Sequence, residues 1–159
     1  MSTPAGYRDL SFGSFSEVSA ELDRIEASQR EGTLAACGQW TPAQNLQHLA
    51  KTMRFSLDGF PFKVSAPLAL MGRVMRPLIL RMRFKPGQVK IPASASAMLP
   101  DEGVGFDEAM TELRGQLSRV ERGERMDKPS ALLGNIGHDK WAKFHLTHLG
   151  HHLGMLQPG

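Results

Sequence analysis

Four stretches of this sequence repeat apolar residues every three or four positions, which is the spacing of one face of an α-helix. Long runs that alternate apolar and polar residues, which would indicate a large sheet, are absent from the sequence. The predicted helices run over about 15–30, from Thr41 to a stop at Gly59, over 106–120 and over 139–156. We therefore predict an all-α fold, and four helices with one long crossover favour a helix bundle.

Two of these helices carry a clear start signal. Ser14 through Glu17 fits a capping box, in which a Ser side chain and a Glu three residues later satisfy free backbone amides. Thr41 through Gln44 combines the same pattern with a proline at the first helical position, and it is the clearest helix start in the chain. Pro158 is the predicted terminator of the fourth helix.

A long, partly helical connection separates the second predicted helix from the third. Its first part, Ala66 to Arg83, is apolar and is predicted to be helical with an interruption at Pro77. Its second part, Lys85 to Gly105, is rich in Pro, Gly, Ala and Ser and is predicted to be an extended loop. Arginines within the apolar part make it a poor membrane-spanning helix. Binding to a membrane surface through these arginines is a weaker alternative, and we expect no membrane partner.

The bulk properties are those of an ordinary globular protein. The 159 residues favour a single domain over 1–159, and the hydrophobic (41%) and charged (22%) contents argue against disorder. The net charge of +3 permits contact with nucleic acid, but no zinc-finger, helix-turn-helix or stacking-aromatic motif accompanies it. We therefore expect no nucleic-acid partner.

Cysteine content and the first residues bear on the compartment. Cys37 is the single cysteine, so the chain forms no internal disulfide and fits a reducing environment. Residues 1–20 include Arg8 and Glu17 and lack the apolar stretch of a signal peptide. We expect a cytoplasmic protein. Cys37 precedes a helix start and could be a reactive thiol, but a small buried hydrophobe is the favoured interpretation.

Four of the six histidines fall within the last fifteen residues, at positions 145, 148, 151 and 152. His148 and His152 are one helical turn apart, so both rings can reach one metal ion. His145 shares their stripe, roughly 60° from His148, whereas His151 points away toward solvent or a groove wall. Imidazole is a common ligand of zinc, nickel and iron.

A third ligand would have to come from another helix, and His48 on the second helix is the candidate. Gln44, one turn before it, could orient a ligand or a bound water. Three protein ligands leave one coordination position open, which is the catalytic pattern. Two plainer interpretations stay open: His48 can be a hydrogen-bonded core residue, and a His-x-x-x-His pair can arise by chance. Trp40 and Trp141 are interpreted as packing residues, although Trp141 could wall the metal pocket.

The two histidine motifs resemble those of a known superfamily. Trp40 to Ala50 (WTPAQNLQHLA) resembles the second-helix motif of the DinB/YfiT-like superfamily, and His148 to Gly154 (HLGHHLG) resembles its fourth-helix motif. More narrowly, the chain is similar to the DUF1569 group within it, through four segments: Phe12, 38–40, 85–87 and 141–158.

The resemblance implies a DinB-like four-helix bundle in which His48, His148 and His152 bind a divalent metal, for instance zinc or nickel. It also implies a homodimer. Relatives include transferases and isomerases whose metal holds a low-molecular-weight thiol as thiolate. Many relatives have Arg-Gly-Gln after the last histidine, where this chain has Leu153-Gly154-Met155. A particular substrate is therefore not carried over from the resemblance.

The leading functional hypothesis is a metal-dependent enzyme of the thiol-transfer type that acts on a small-molecule substrate, with the catalytic residues unassigned. A metal-dependent hydrolase, in which His145 or His151 moves protons, is weaker because no nearby carboxylate is an obvious general base. A non-catalytic dimeric binding domain is the other alternative, with the apolar 66–84 stretch as a soft contact surface. The simpler interpretation of that stretch is that it covers one end of the bundle.

Overall fold

The computed structural model describes residues 3–82 and 93–159 of the chain, and these are mostly helical, as the all-α prediction requires. Two short strands, β1 and β2, pair antiparallel, with Ala35 opposite Gln157 and Ala36 opposite Leu156. A short 3-10 segment, Ala93–Met98, precedes the fourth α-helix. The elements are α1 (Phe15–Arg30), β1 (Ala35–Ala36), α2 (Pro42–Asp58), α3 (Ala66–Ile79), α4 (Phe106–Glu121), α5 (His138–Leu153) and β2 (Leu156–Gln157).

Four of the helices, α1, α2, α4 and α5, share one hydrophobic core. The apolar stripes predicted from the helical spacing supply it, and their central side chains are fully buried. Burying each such side chain contributes about 1.5–3 kcal/mol, so this shared core fixes α2 and α5 against one another. Its largest members are Leu22 and Ile25 of α1, Leu46, Leu49 and Met53 of α2, Leu113 and Leu117 of α4, and Leu149 and Leu153 of α5.

Both predicted helix starts are confirmed, and one differs in detail. Thr41 and Gln44 make the complete capping box, each side chain accepting a hydrogen bond from the other's backbone amide. Ser14 likewise accepts from the Glu17 amide. The Glu17 carboxylate, however, accepts from the amide of Gly13, one residue earlier than a capping box would have it.

The predicted end of the last helix is wrong by three residues. Helix α5 stops at Leu153, and the chain continues through Gly154 into β2. The Arg8 guanidinium binds the carbonyls of Leu153 and Leu156, while the Gly154 carbonyl accepts from the Arg8 amide. A Cβ at position 154 would lie 2.3 Å from the Arg8 carbonyl oxygen, so only glycine fits there. Contacts with the N-terminal segment therefore end the helix.

Helix α3 lies outside the shared core. It passes through Pro77 without the predicted interruption but ends two residues later at Ile79, short of the predicted helical stretch to Arg83. Only one further turn is affected by the missing proline N–H, so the helix tolerates it there. Gly72 is its one buried residue, packed tightly against Leu132. Arg83, residues 85–87 and the first part of the predicted loop lie outside the described residues. None of the helices in the described part of the chain combines the length and the hydrophobicity of a membrane-spanning segment.

Candidate metal centre

Three histidines from two helices converge on one point. The Nε2 atoms of His48 on α2 and His148 on α5 are 3.2 Å apart, and one nitrogen of each of His48, His148 and His152 lies within 4.8 Å of the others. All three residues are buried. Two nitrogens bound to one tetrahedral zinc at about 2.0–2.1 Å lie about 3.3 Å apart, so the first pair already has the spacing of a shared ion.

The helices bring these rings together through the packing of their neighbours. Leu49 follows His48 and Leu149 follows His148, and both leucines are fully buried in the shared core. The four-residue separation within α5 then places the His152 ring one turn along from the His148 ring, edge to face with it at 4.7 Å between centroids. The predicted juxtaposition of the upstream histidine with the C-terminal pair is therefore present in the fold.

A backbone carbonyl orients the His48 ring. Its Nδ1 atom lies 2.6 Å from the carbonyl oxygen of Met98, at the end of the 3-10 segment. A carbonyl only accepts, so Nδ1 must carry the proton and donate it. The neutral ring then has an unprotonated Nε2, and that lone pair faces His148.

A side-chain amide does the same for His152. Asn45 Nδ2 donates to the carbonyl oxygens of Trp40 (3.3 Å) and Thr41 (3.0 Å), which fixes the orientation of the amide. Its Oδ1 therefore faces His152 Nδ1, at 3.0 Å, and accepts the proton of that nitrogen. The unprotonated nitrogen of His152 is again Nε2. Two of the three rings are thus held in the tautomer that binds metal.

Burial keeps the three rings uncharged. It lowers the pKa of His48 from the ordinary 6.5 to about 4, against a smaller opposing effect of the hydrogen bond to Met98. Burial also lowers the pKa of His148 and of His152 well below 6.5, and repulsion from neighbouring histidines adds to it. Neutral imidazole is the metal-binding form, so a cation would displace no proton from these rings near pH 7.

The donor set fits a borderline transition metal. Three imidazole nitrogens suit zinc and nickel, and they leave a further position open for a small molecule. In the part of the chain that the structure describes, no carboxylate or thiol joins the three histidines as a potential ligand. The Nε2 lone pair of His48 faces His148 Nε2 at 3.2 Å, a distance that either a proton on His148 or a shared cation can bridge, and this spacing is compatible with a bound ion.

Aromatic rings enclose the three histidines. The half-buried Trp40 stacks on His152, with ring centroids 5.5 Å apart and planes 15° apart, and also packs against His48. Phe144 contacts His148. Trp40 is therefore a packing residue, as predicted, but it packs directly on two of the three clustered histidines. Trp141 stacks on a different histidine, His145, at 5.3 Å between centroids, and its indole donates to a backbone carbonyl.

The remaining sequence candidates take other places. His145 Nε2 is 3.0 Å from Ser56 Oγ, whose own proton goes to the Met53 carbonyl, so the imidazole donates. Burial lowers the pKa of His145 to about 3. His151 lines a groove of about 640 Å³ with Tyr7, Lys143 and others, as its predicted place at a groove wall requires.

The sequence analysis missed the two groups that orient His48 and His152. Gln44, the proposed orienting residue, uses its side-chain oxygen in the α2 capping box instead. Asn45 takes that role. It could have been recognised in the sequence as a polar residue about one turn before His48, on the side of α2 that faces the core. The Met98 contact is made by a backbone atom and has no signature in the sequence.

Cys37 is half-buried with its Sγ 3.7 Å from Met155 Sδ.

A family model, described as "Protein of unknown function (DUF1569)", matches residues 5–159. No curated protein and no solved structure matches the chain.

Proposed function

The chain belongs to the DUF1569 family, and from the geometry of its three histidines we propose that it is a divalent-metal-dependent enzyme. His48, His148 and His152 hold the ion, which is zinc or nickel. One observation carries the proposal: Met98 and Asn45 hold two of these rings in the tautomer whose free nitrogen points at the shared site. A buried histidine needs a hydrogen-bond partner in any role, but these two partners leave the Nε2 atoms of two rings unprotonated in a cluster of three imidazoles within 4.8 Å of one another.

We propose further that α1, α2, α4 and α5 form the four-helix bundle of the DinB/YfiT-like superfamily, in one domain over 1–159. The core shared by these four helices supports this, together with a ligand pair on α5 facing a single ligand on α2. The long connection after α2 contributes the Met98 carbonyl. It is therefore part of the site as well as a crossover between helices.

When bound, the ion would lower the pKa of a thiol or a water molecule at its open position. The residues of the chain prepare that position. Trp40 and Phe144 limit access of water to the rings. The depressed pKa values keep the three imidazoles available as ligands near pH 7.

Thiol transfer fits the site better than hydrolysis. Asp101, the carboxylate that bonds to Gln47 beside His48, is exposed and paired with Lys51. The proton of His145 is donated to Ser56, and His151 faces the groove. A metal-bound water or thiol would each release one proton to solvent on activation. Hydrolysis of an ester or amide would then need a positioned group to protonate the leaving group, whereas a thiolate would attack an electrophile without that second proton transfer. We therefore propose a low-molecular-weight thiol as co-substrate and a small electrophile as substrate.

Metal analysis of untagged protein tests the site. We expect roughly one transition metal per chain in the parent and a large loss in His48→Ala and in His152→Ala. His138→Gln is the matched control, because this histidine begins α5 and accepts from the Met126 amide. It should retain the metal. Circular dichroism of each variant separates loss of a ligand from loss of fold. Equal metal content in folded parent and ligand variants would end the proposal.

Activity separates transfer from hydrolysis. A thiol-dependent conversion of a model electrophile that stops on removal of the metal would support transfer. Cleavage of esters or amides without thiol would establish the hydrolase instead. Neither activity in a protein that holds its metal would favour the non-catalytic binding domain.

A further inference from the structure

Helix α3 presents an apolar face to solvent. Because an α-helix turns about 100° per residue, Leu70, Val74 and Leu78 form one row, and Met71 and Met75 form a second row beside it. Between 40% and 68% of the surface of each of these five residues remains in water. No charged residue of α3 lies within the two rows, and Leu99 is the one other large hydrophobic residue as exposed in the described part of the chain.

The size of this face is that of a protein interface. Its five side chains expose on the order of 500 Å² of apolar surface, the upper end of what a monomer leaves in water. A specific complex buries about 800 Å² per partner, of which about 60% is apolar. The α3 face therefore supplies close to the whole apolar part of one side of such an interface.

The pattern of the face is self-complementary. The first row is symmetric about Val74, with a leucine four residues before it and another four residues after it. An antiparallel copy on a twofold axis at Val74 places Leu70 against Leu78 of the copy, and each valine against its counterpart. This arrangement also opposes the dipoles of the two helices and separates the Arg81 cations near their ends.

The cations of α3 do not surround this face as they would on a membrane-binding helix. Arg76 donates to the carbonyl oxygen of Asn135, and the Arg73 side chain lies over Gly134, where a Cβ would be 3.2 Å from its Nε. Both arginines thus turn toward the body of the protein. Helix α3 also lacks the Trp, Tyr and Phe that anchor helices at lipid headgroups.

We propose that the outward face of α3 docks a second copy of this chain, in an antiparallel helix pair whose twofold axis passes at Val74. The interface is isologous and dry at its centre, and its methionines adjust the fit between the two rows. The proposal is independent of the metal site, because it concerns a helix outside the shared core.

Sedimentation equilibrium of the parent and of Val74→Asp tests the pairing. We expect a dimer for the parent and a monomer for the variant, since two carboxylates would meet on the axis with no counter-charge. Val74 is largely exposed, so the variant should fold normally, which circular dichroism checks. Leu99→Asp, at an exposed leucine outside α3, is the matched control and should remain a dimer. A monomeric parent, or a Val74→Asp variant that remains a dimer, overturns the proposal.

Disulfide cross-linking tests where the twofold axis of the dimer lies. In a Cys37→Ser background, Val74→Cys should form an interchain disulfide rapidly when diamide oxidises the two thiols, whereas Leu99→Cys should not. Cross-linking at both positions, or at neither, contradicts the twofold axis at Val74. Flotation of a monomeric parent with anionic phosphatidylserine vesicles would assign the face to a membrane surface instead and would also overturn the proposal.

Discussion

Helices α5 and α3 both depart from the usual burial of apolar side chains and exposure of polar ones, but in opposite directions. Helix α5 buries histidines, which are ordinarily partly exposed, while α3 leaves leucines, methionines and a valine in water. Each departure lowers the stability of the isolated chain. We infer that each marks a place where something outside the chain completes the structure: a cation between the rings in one case, and a second apolar surface in the other.

The two regions differ in how far the chain itself prepares the contact. At the histidine cluster, Met98 and Asn45 fix the proton positions of His48 and His152. At α3, the side chains simply face water, and no hydrogen bond orients them. Directional ligation therefore needs a prepared second layer of contacts, whereas hydrophobic docking needs only area and symmetry.

Binding of metal should have the largest effect on stability. A ligand present at about a thousand times its Kd stabilises the folded state by about 4 kcal/mol, which for a chain of this length raises Tm by about 10 °C. Differential scanning fluorimetry of chelator-treated protein, before and after addition of Zn²⁺ or Ni²⁺, measures the shift. His48→Ala should show none. An equal shift in parent and variant would mean that the ions bind elsewhere.

Removal of the Asn45 amide should weaken metal binding about 10- to 100-fold, because His152 would lose the acceptor that selects its tautomer. Asn45→Leu, titrated with Zn²⁺ by calorimetry, gives the affinity. The matched control is Gln44→Ala at the preceding residue, which breaks the capping box and should lower Tm with little change in affinity. Equal losses of affinity in the two variants would show that Asn45 acts through the stability of α2 and not through His152.

The contrast between Asn45 and Gln44 also shows what the sequence could and could not predict. Helix starts were predictable because a cap depends on four consecutive residues, and Thr41 with Gln44 is the clearest case. Within such a helix, the hydrogen bonds of a side chain depend on the neighbours it meets. The same capping box that predicts the helix also occupies Gln44, so the orienting role could have been reassigned from the sequence alone.

Features that depend on distant contacts were not accessible in this way. Helix α5 ends at Leu153, where Arg8, far away in the sequence, binds the Leu153 carbonyl and the carbonyl of Leu156 in β2. The Met98 carbonyl reaches His48 only because the connection after α2 folds back. The His148–His152 pair was predictable because its spacing is local, whereas the approach of His48 to that pair followed only from the resemblance of the two motifs to a known superfamily.

Acid should destabilise the metal-free protein through its buried histidines. The pKa of His145 falls from the ordinary 6.5 to about 3 in the folded state, so its neutral form stabilises the fold above pH 6.5 and that contribution is lost as the pH falls toward 3. Between pH 7 and pH 5 the loss is about 2 kcal/mol for a group so shifted. Urea unfolding of chelator-treated protein at both pH values measures it.

His145→Phe should remove that share of the acid sensitivity, because a phenyl ring keeps the contact with Trp141 and cannot be protonated. Ser56→Ala is the comparison variant: it removes only the hydrogen-bond partner and leaves the ring buried, so the acid loss should persist. A parent and a His145→Phe protein with equal losses of stability between the two pH values would show that His145 does not contribute.

A variant of α3 tests whether the exposed face of this helix and the histidine cluster are independent of one another. Val74→Asp should leave the affinity for Zn²⁺ within about twofold of the parent value, because sites without shared contacts contribute additively. Helix α3 is attached through Gly72 against Leu132 and through Arg76 to Asn135. Within residues 3–82 and 93–159, none of these four residues has a hydrogen bond or ring contact with the three clustered histidines. Calorimetric titration of the monomeric variant supplies the number. A large loss of affinity would mean that the second copy shapes the metal site. Dimerisation through α3 and binding of the ion would then be coupled.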